Sequence, residues 1–77
     1  MVGKSSRKKF IVPGADKLRA ELSASKAQLA GSAGCAYRSV QNVLDEAPTT
    51  KNTCEKVVNG LIKLGSKKAA LEMIVKI

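Results

Sequence analysis

Apolar residues along this chain fall into short sets spaced three and four apart, separated by glycine, proline and hydroxyl-rich stretches. Ala15, Leu18 and Leu22 form the first set, the spacing of one buried stripe on a helix over residues 15–22. Upstream, Phe10, Ile11 and Val12 make a brief β-prone run that Pro13 and Gly14 interrupt, which predicts a short docked strand. Ser25 stands three residues before Gln28, a capping-box pattern that opens a second helix through about residue 32. Ala33, Gly34 and Cys35 break it, and a third helix is predicted over 36–45, closing before Ala47 and Pro48. The stretch TTKNT at 49–53 then supplies several N-cap candidates. Cys54, Val57, Val58, Leu61 and Leu64 follow at helical spacing until Gly65 stops the fourth helix. The tail over 66–77 carries two patterns at once: KKAALEM favours helix, whereas Leu71, Met73, Val75 and Ile77 alternate as in a strand. Helix is the preferred reading of that tail.

At 77 residues the chain supports one domain, which buries only about 60% of its unfolded surface. Hydrophobic residues make up 44% of it, yet Phe10 and Tyr37 are its only aromatic residues, so Ala, Val, Leu and Ile must build the core. Small side chains suit closely packed short helices better than a sandwich of sheets. The expected fold is all-α, a compact bundle of four to five helices with room for short terminal strands, forming a single body over 10–77.

Fourteen Lys and Arg against six Asp and Glu give a net charge of +8, which favours a polyanionic partner. Residues 1–9 read as a basic, solvated arm in which Lys4, Arg7, Lys8 and Lys9 could follow a phosphate backbone. No apolar run approaches the ~18 residues of a membrane span, and no secretory leader pattern is seen, so a cytoplasmic location is expected. Cys35 and Cys54 lack the spacing of a zinc site, and the chain has no histidine, so neither metal nor cofactor is expected. Both cysteines read as small packing residues. With no nucleophile, base and orienting group in sight, enzymatic function is not expected.

The segment KAQLAGSAGCAYRSVQNVL, residues 26–44, resembles the helix-turn-helix of the Cro and phage-repressor (XRE-type, lambda-repressor-like) regulators. Ala30 stands where that family places a small residue beneath its recognition helix, and Gly34 follows four residues on, at the turn. Leu29, Ala33, Cys35, Val40 and Val43 occupy the family's apolar positions, and a helix ending in LIKLG follows at a similar distance. The resemblance spans roughly residues 14–65. Two departures stand out: Cys35 and Ala36 replace the usual capping hydroxyl, which costs about 1 kcal/mol, and the acids Asp45 and Glu46 follow the recognition helix. The resemblance implies a phage- or plasmid-type DNA-binding transcriptional repressor from a bacterial or phage source, with residues 25–44 as its reading unit.

On that implication, Arg38, Gln41 and Asn42 are the base-reading candidates. A rotation of ~100° per residue turns them away from Val40, Val43 and Leu44. Arg can bond guanine O6 and N7 together, and Gln or Asn can make the paired contact to adenine. Ser39 and Tyr37 lie toward the flanks, where a hydroxyl can hold a phosphate, although Tyr37 can equally cover the core edge. Lys26 is placed for phosphate at the positive end of the second helix, Lys51, between the third and fourth helices, could do likewise, and Gln28 serves capping first and phosphate second. The tail LEMIVKI has more apolar surface than so small a core can cover. Leu71, Ile74, Val75 and Ile77 are therefore expected to form a homodimer interface, with folding back onto Phe10, Ile11 and Val12 as the other route. The alternative function is a basic helical adaptor that binds RNA or a protein partner.

Overall fold

The structure, a computed structural model, describes residues 9–77. Its architecture is mainly helical: β1 (Phe10–Ile11), α1 (Ala15–Glu21), α2 (Lys26–Ala33), α3 (Tyr37–Leu44), α4 (Lys51–Lys63), a single 3-10 turn (Leu71–Met73) and β2 (Val75–Lys76). The four expected helices and the short amino-terminal strand are all present, with ends displaced by a few residues at most.

Local chemistry sets both ends of α2 and the start of α4. The Ser25 hydroxyl accepts from the Gln28 amide at 3.0 Å while the Gln28 side chain accepts from the Ser25 amide at 3.0 Å, so the predicted capping box is complete. At the other end of α2, Gly34 adopts φ 71° and its amide donates to the Ala30 carbonyl at 2.9 Å. Ala36 precedes α3 without any side-chain cap, as its lack of a hydroxyl requires. Among the hydroxyls of the TTKNT stretch, Thr50 is the one that caps α4, accepting from the Thr53 amide at 3.2 Å.

Helix α4 is the spine of the core. Its Cys54, Val57, Val58 and Leu61 are fully buried, together with Val12, Leu29, Val40 and Val43. Helix α2 packs on α4 more extensively than any other pair of elements. The reason lies at Gly60: a Cβ placed there would stand 2.8 Å from the Ala33 Cβ and 3.0 Å from the Ala33 backbone, so α2 and α4 touch almost backbone to backbone. The Ser32 hydroxyl donates to the Gly60 carbonyl at 3.1 Å across the same crossing. A small-residue core compensates for its missing aromatic bulk by bringing helices close, where dispersion contacts are dense.

The tail differs from the helix preferred for it. It forms one 3-10 turn and then the strand β2, antiparallel to β1 with Phe10 opposite Lys76 and Ile11 opposite Val75. Two effects decide against a helix. A segment this short is marginal as an isolated helix and ends in β-branched Ile74, Val75 and Ile77, while β1 offers a row of backbone partners. Met73 and Ile74 pack against the core, leaving Leu71 48%, Val75 45% and Ile77 65% exposed.

Candidate nucleic-acid interface

Helices α2 and α3 are joined by three residues, Gly34, Cys35 and Ala36, and α3 carries the three base-reading candidates. Along α3 the apolar and polar faces separate cleanly. Val40, Val43 and Leu44 enter the core, whereas Arg38, Gln41 and Asn42 are exposed, so the three base-reading candidates do share the outward face. The ion pairs among the described residues are Arg19 with Asp16 and Lys68 with Glu21, so no carboxylate pairs with the Arg38 guanidinium. No acidic residue occurs between Leu22 and Leu44, a segment that carries Lys26 and Arg38. The segment itself therefore carries only positive side-chain charge, with Glu21 before it and Asp45 and Glu46 after it.

The flanking candidates are placed less uniformly. Tyr37 stands at the start of α3 and is 50% exposed, while Ser39 is half-buried. Lys26 occupies the first position of α2 and is half-buried; Gln28 is exposed, with its side-chain oxygen engaged in the capping box. Lys51 opens α4 and is exposed, and Lys9 is exposed beside β1. Lys4, Arg7 and Lys8 lie outside the described residues.

The two acids that follow the third helix, Asp45 and Glu46, are both exposed and differ in their contacts. Glu46 adopts φ 59° and its carboxylate accepts from the Gly14 amide at 3.3 Å. That contact ties the exit of α3 to the start of α1. Arg19 makes a second tie, bonding Asp16 at 2.9 Å and the Ala24 carbonyl at 2.8 Å, which fixes the turn that leads into α2. Neither link was visible in the periodic pattern. Thr49 is also buried, its hydroxyl sharing a hydrogen bond with the Cys54 thiol at 3.1 Å.

Burial pushes the Cys54 thiol up, opposed by the Thr49 hydrogen bond and reinforced by nearby Glu55. Burial raises Cys35 as well, with Lys56 partly opposing it. Both cysteines are free, and their raised pKa values keep them as neutral packing thiols rather than thiolate ligands. Among the described residues no group of His, Cys, Asp or Glu is arranged to hold a metal, and no helix is long and apolar enough to cross a membrane.

The turn itself can be tested by substitution. A Cβ at Gly34 would meet no atom within 4 Å, so the constraint there is the backbone angle and not space. Gly34→Val should therefore cost about 1–2 kcal/mol, the penalty of a β-branched residue at positive φ, while Gly34→Asn should cost less because Asn tolerates that region. Thermal unfolding that leaves Val and Asn equally stable would show that the turn does not hold this conformation.

No protein-family model matches the chain, and comparison with curated proteins and with solved structures likewise finds no match.

Proposed function

We propose that this protein is a sequence-specific double-stranded DNA-binding regulator that inserts α3 into the major groove, with Arg38, Gln41 and Asn42 reading base edges. The observation that carries this reading is the division of α3 into a buried apolar face and an exposed face of Arg, Gln and Asn, presented after a tight turn from a capped α2. Those three side chains have the donor and acceptor sets that major-groove recognition uses. Tyr37, Ser39, Lys26, Gln28, Lys51 and the basic arm supply the phosphate contacts that set register on the duplex. Regulation then needs only occupancy of a site that polymerase must use.

Selection of bound sequences from random duplex DNA tests the reading directly. A recurrent motif is expected, with affinity that weakens steeply as salt rises because Lys and Arg release counterions from phosphates. Removal of residues 1–8 should weaken binding on all sequences and flatten the salt dependence without changing the selected motif. No enriched duplex, together with capture of single-stranded RNA, would replace this reading with the RNA-binding adaptor.

The exposed Leu71, Val75 and Ile77 support assembly as a two-fold dimer that sets two copies of α3 about one helical turn, roughly 34 Å, apart. Ile74 packs inward and contributes to the tail's own docking instead. The selected site should then be an inverted repeat, and Val75→Asp should shift light scattering from two subunits to one. A single subunit in the unaltered protein, with an asymmetric site, would rule the dimer out.

A further inference from the structure

Strand β1 is used on both of its edges. Phe10 spends its two backbone groups on Thr49, donating to the Thr49 carbonyl at 3.0 Å and accepting from the Thr49 amide at 2.9 Å. Its neighbours therefore face the opposite way, toward the tail: the Ile77 amide donates to the Lys9 carbonyl at 2.6 Å, and Ile11 lies opposite Val75. Lys9 follows the basic residues Lys4, Arg7 and Lys8 in sequence and is the first described residue. Thr49 immediately precedes Thr50, the cap of α4, and Lys51, its first residue.

The connection over 45–50 is held from this same amino-terminal segment. Glu46 is bonded to Gly14 and Thr49 to Phe10, so both ends of the connection that follows α3 rest on residues 10–14. The single backbone rung to Thr49 is a weak anchor for a two-residue strand, since even complete isolated hairpins are marginal in water. β2 completes it. With Val75 45% and Ile77 65% exposed, β2 is itself lightly held, the kind of element that opens more readily than the core.

We infer that β2 is a clasp: docked on β1, it fixes Lys9 and the Thr49–Lys51 start of α4, and its release loosens both. The functional half of this inference rests on the DNA-binding reading; the structural half does not. Assembly through the tail and phosphate contact by the arm would then be coupled within one protomer, because each acts on β1.

Val75→Pro tests the clasp by removing the amide that faces Ile11, with Lys76→Pro as its control, since the Lys76 amide points away from β1. Amide exchange should speed up roughly tenfold or more at Phe10 and Thr49 in V75P, with Val57 and Leu61 unchanged and K76P close to the unaltered protein. On a duplex carrying one half-site, at concentrations where scattering reports one subunit, V75P should bind at least about threefold more weakly, and the difference should shrink once residues 1–8 are removed from both. Should V75P lose its helical signal, Ile77→Pro, which deletes only the amide bonded to Lys9, takes its place. Unchanged exchange at Phe10 and Thr49, or equal acceleration in K76P, overturns the clasp. Faster exchange with unchanged half-site affinity overturns its link to the arm. If the unaltered protein binds no duplex while V75P still frees Phe10 and Thr49, the clasp stands and the DNA-binding reading falls.

Discussion

Gly60→Ala is expected to lower the melting temperature by roughly 5–15 °C, while Gly31→Ala raises it by a few degrees. Both glycines lie inside helices, where alanine is favoured by about 1 kcal/mol. Their surroundings differ. A Cβ at Gly31 meets nothing within 4 Å, so that substitution gains the helix preference alone. A Cβ at Gly60 would lie 2.8 Å from the Ala33 Cβ and 3.0 Å from the Ala33 backbone nitrogen and Cα. Backbone cannot rotate aside, so α2 and α4 must separate, and overpacking against backbone falls in the upper part of the usual range, about 2–3 kcal/mol, more than the helix preference returns. Trimming Ala33 to glycine would not rescue the variant, because the 3.0 Å backbone contacts would remain. Calorimetry of the two single variants settles it: if both melt higher than the parent, the close crossing of α2 and α4 is not present in solution.

Arg38→Ala should weaken binding to the selected site by about 1–3 kcal/mol, roughly 5- to 150-fold, with little change in folding. Arg38 is exposed, and the carboxylates of the described ion pairs belong to other cations, so its removal strands no buried partner. The loss should be confined to sites bearing the preferred base pair at one position, since a bidentate contact to guanine is what the guanidinium geometry offers. A gel-shift series over single-base variants of the site distinguishes the outcomes. Equal loss on every sequence would make Arg38 a phosphate contact, and no loss anywhere would remove α3 from the interface.

The parts of the fold that were legible in advance are those whose information is local. Ser25 with Gln28, Gly34 at the turn, and the three-four spacing through Cys54, Val57, Val58 and Leu61 each declare a boundary or a face within one or two turns of helix. What determines the tail is far away in sequence: Val75 and Lys76 become a strand because Ile11 and Phe10 lie beside them, and an ambiguous local pattern yields to that partner. Gly60 was obscured for a similar reason, since a glycine in an apolar helix signals a close approach without saying to what, and Ala33 is found only in three dimensions. The outward placement of Arg38, Gln41 and Asn42 followed from helical rotation alone. Their role does not, because a solvated helix face has the same periodicity as a reading one.

The chain holds one tyrosine and no tryptophan, and that tyrosine, Tyr37, sits half-exposed at the head of α3. Its ultraviolet emission is therefore an intrinsic reporter confined to the helix proposed to meet DNA. Emission from a half-exposed tyrosine is a poor gauge of burial, so circular dichroism is the better measure of folding. Docking against nucleic acid should instead quench it, giving a label-free signal at the surface where contact is expected.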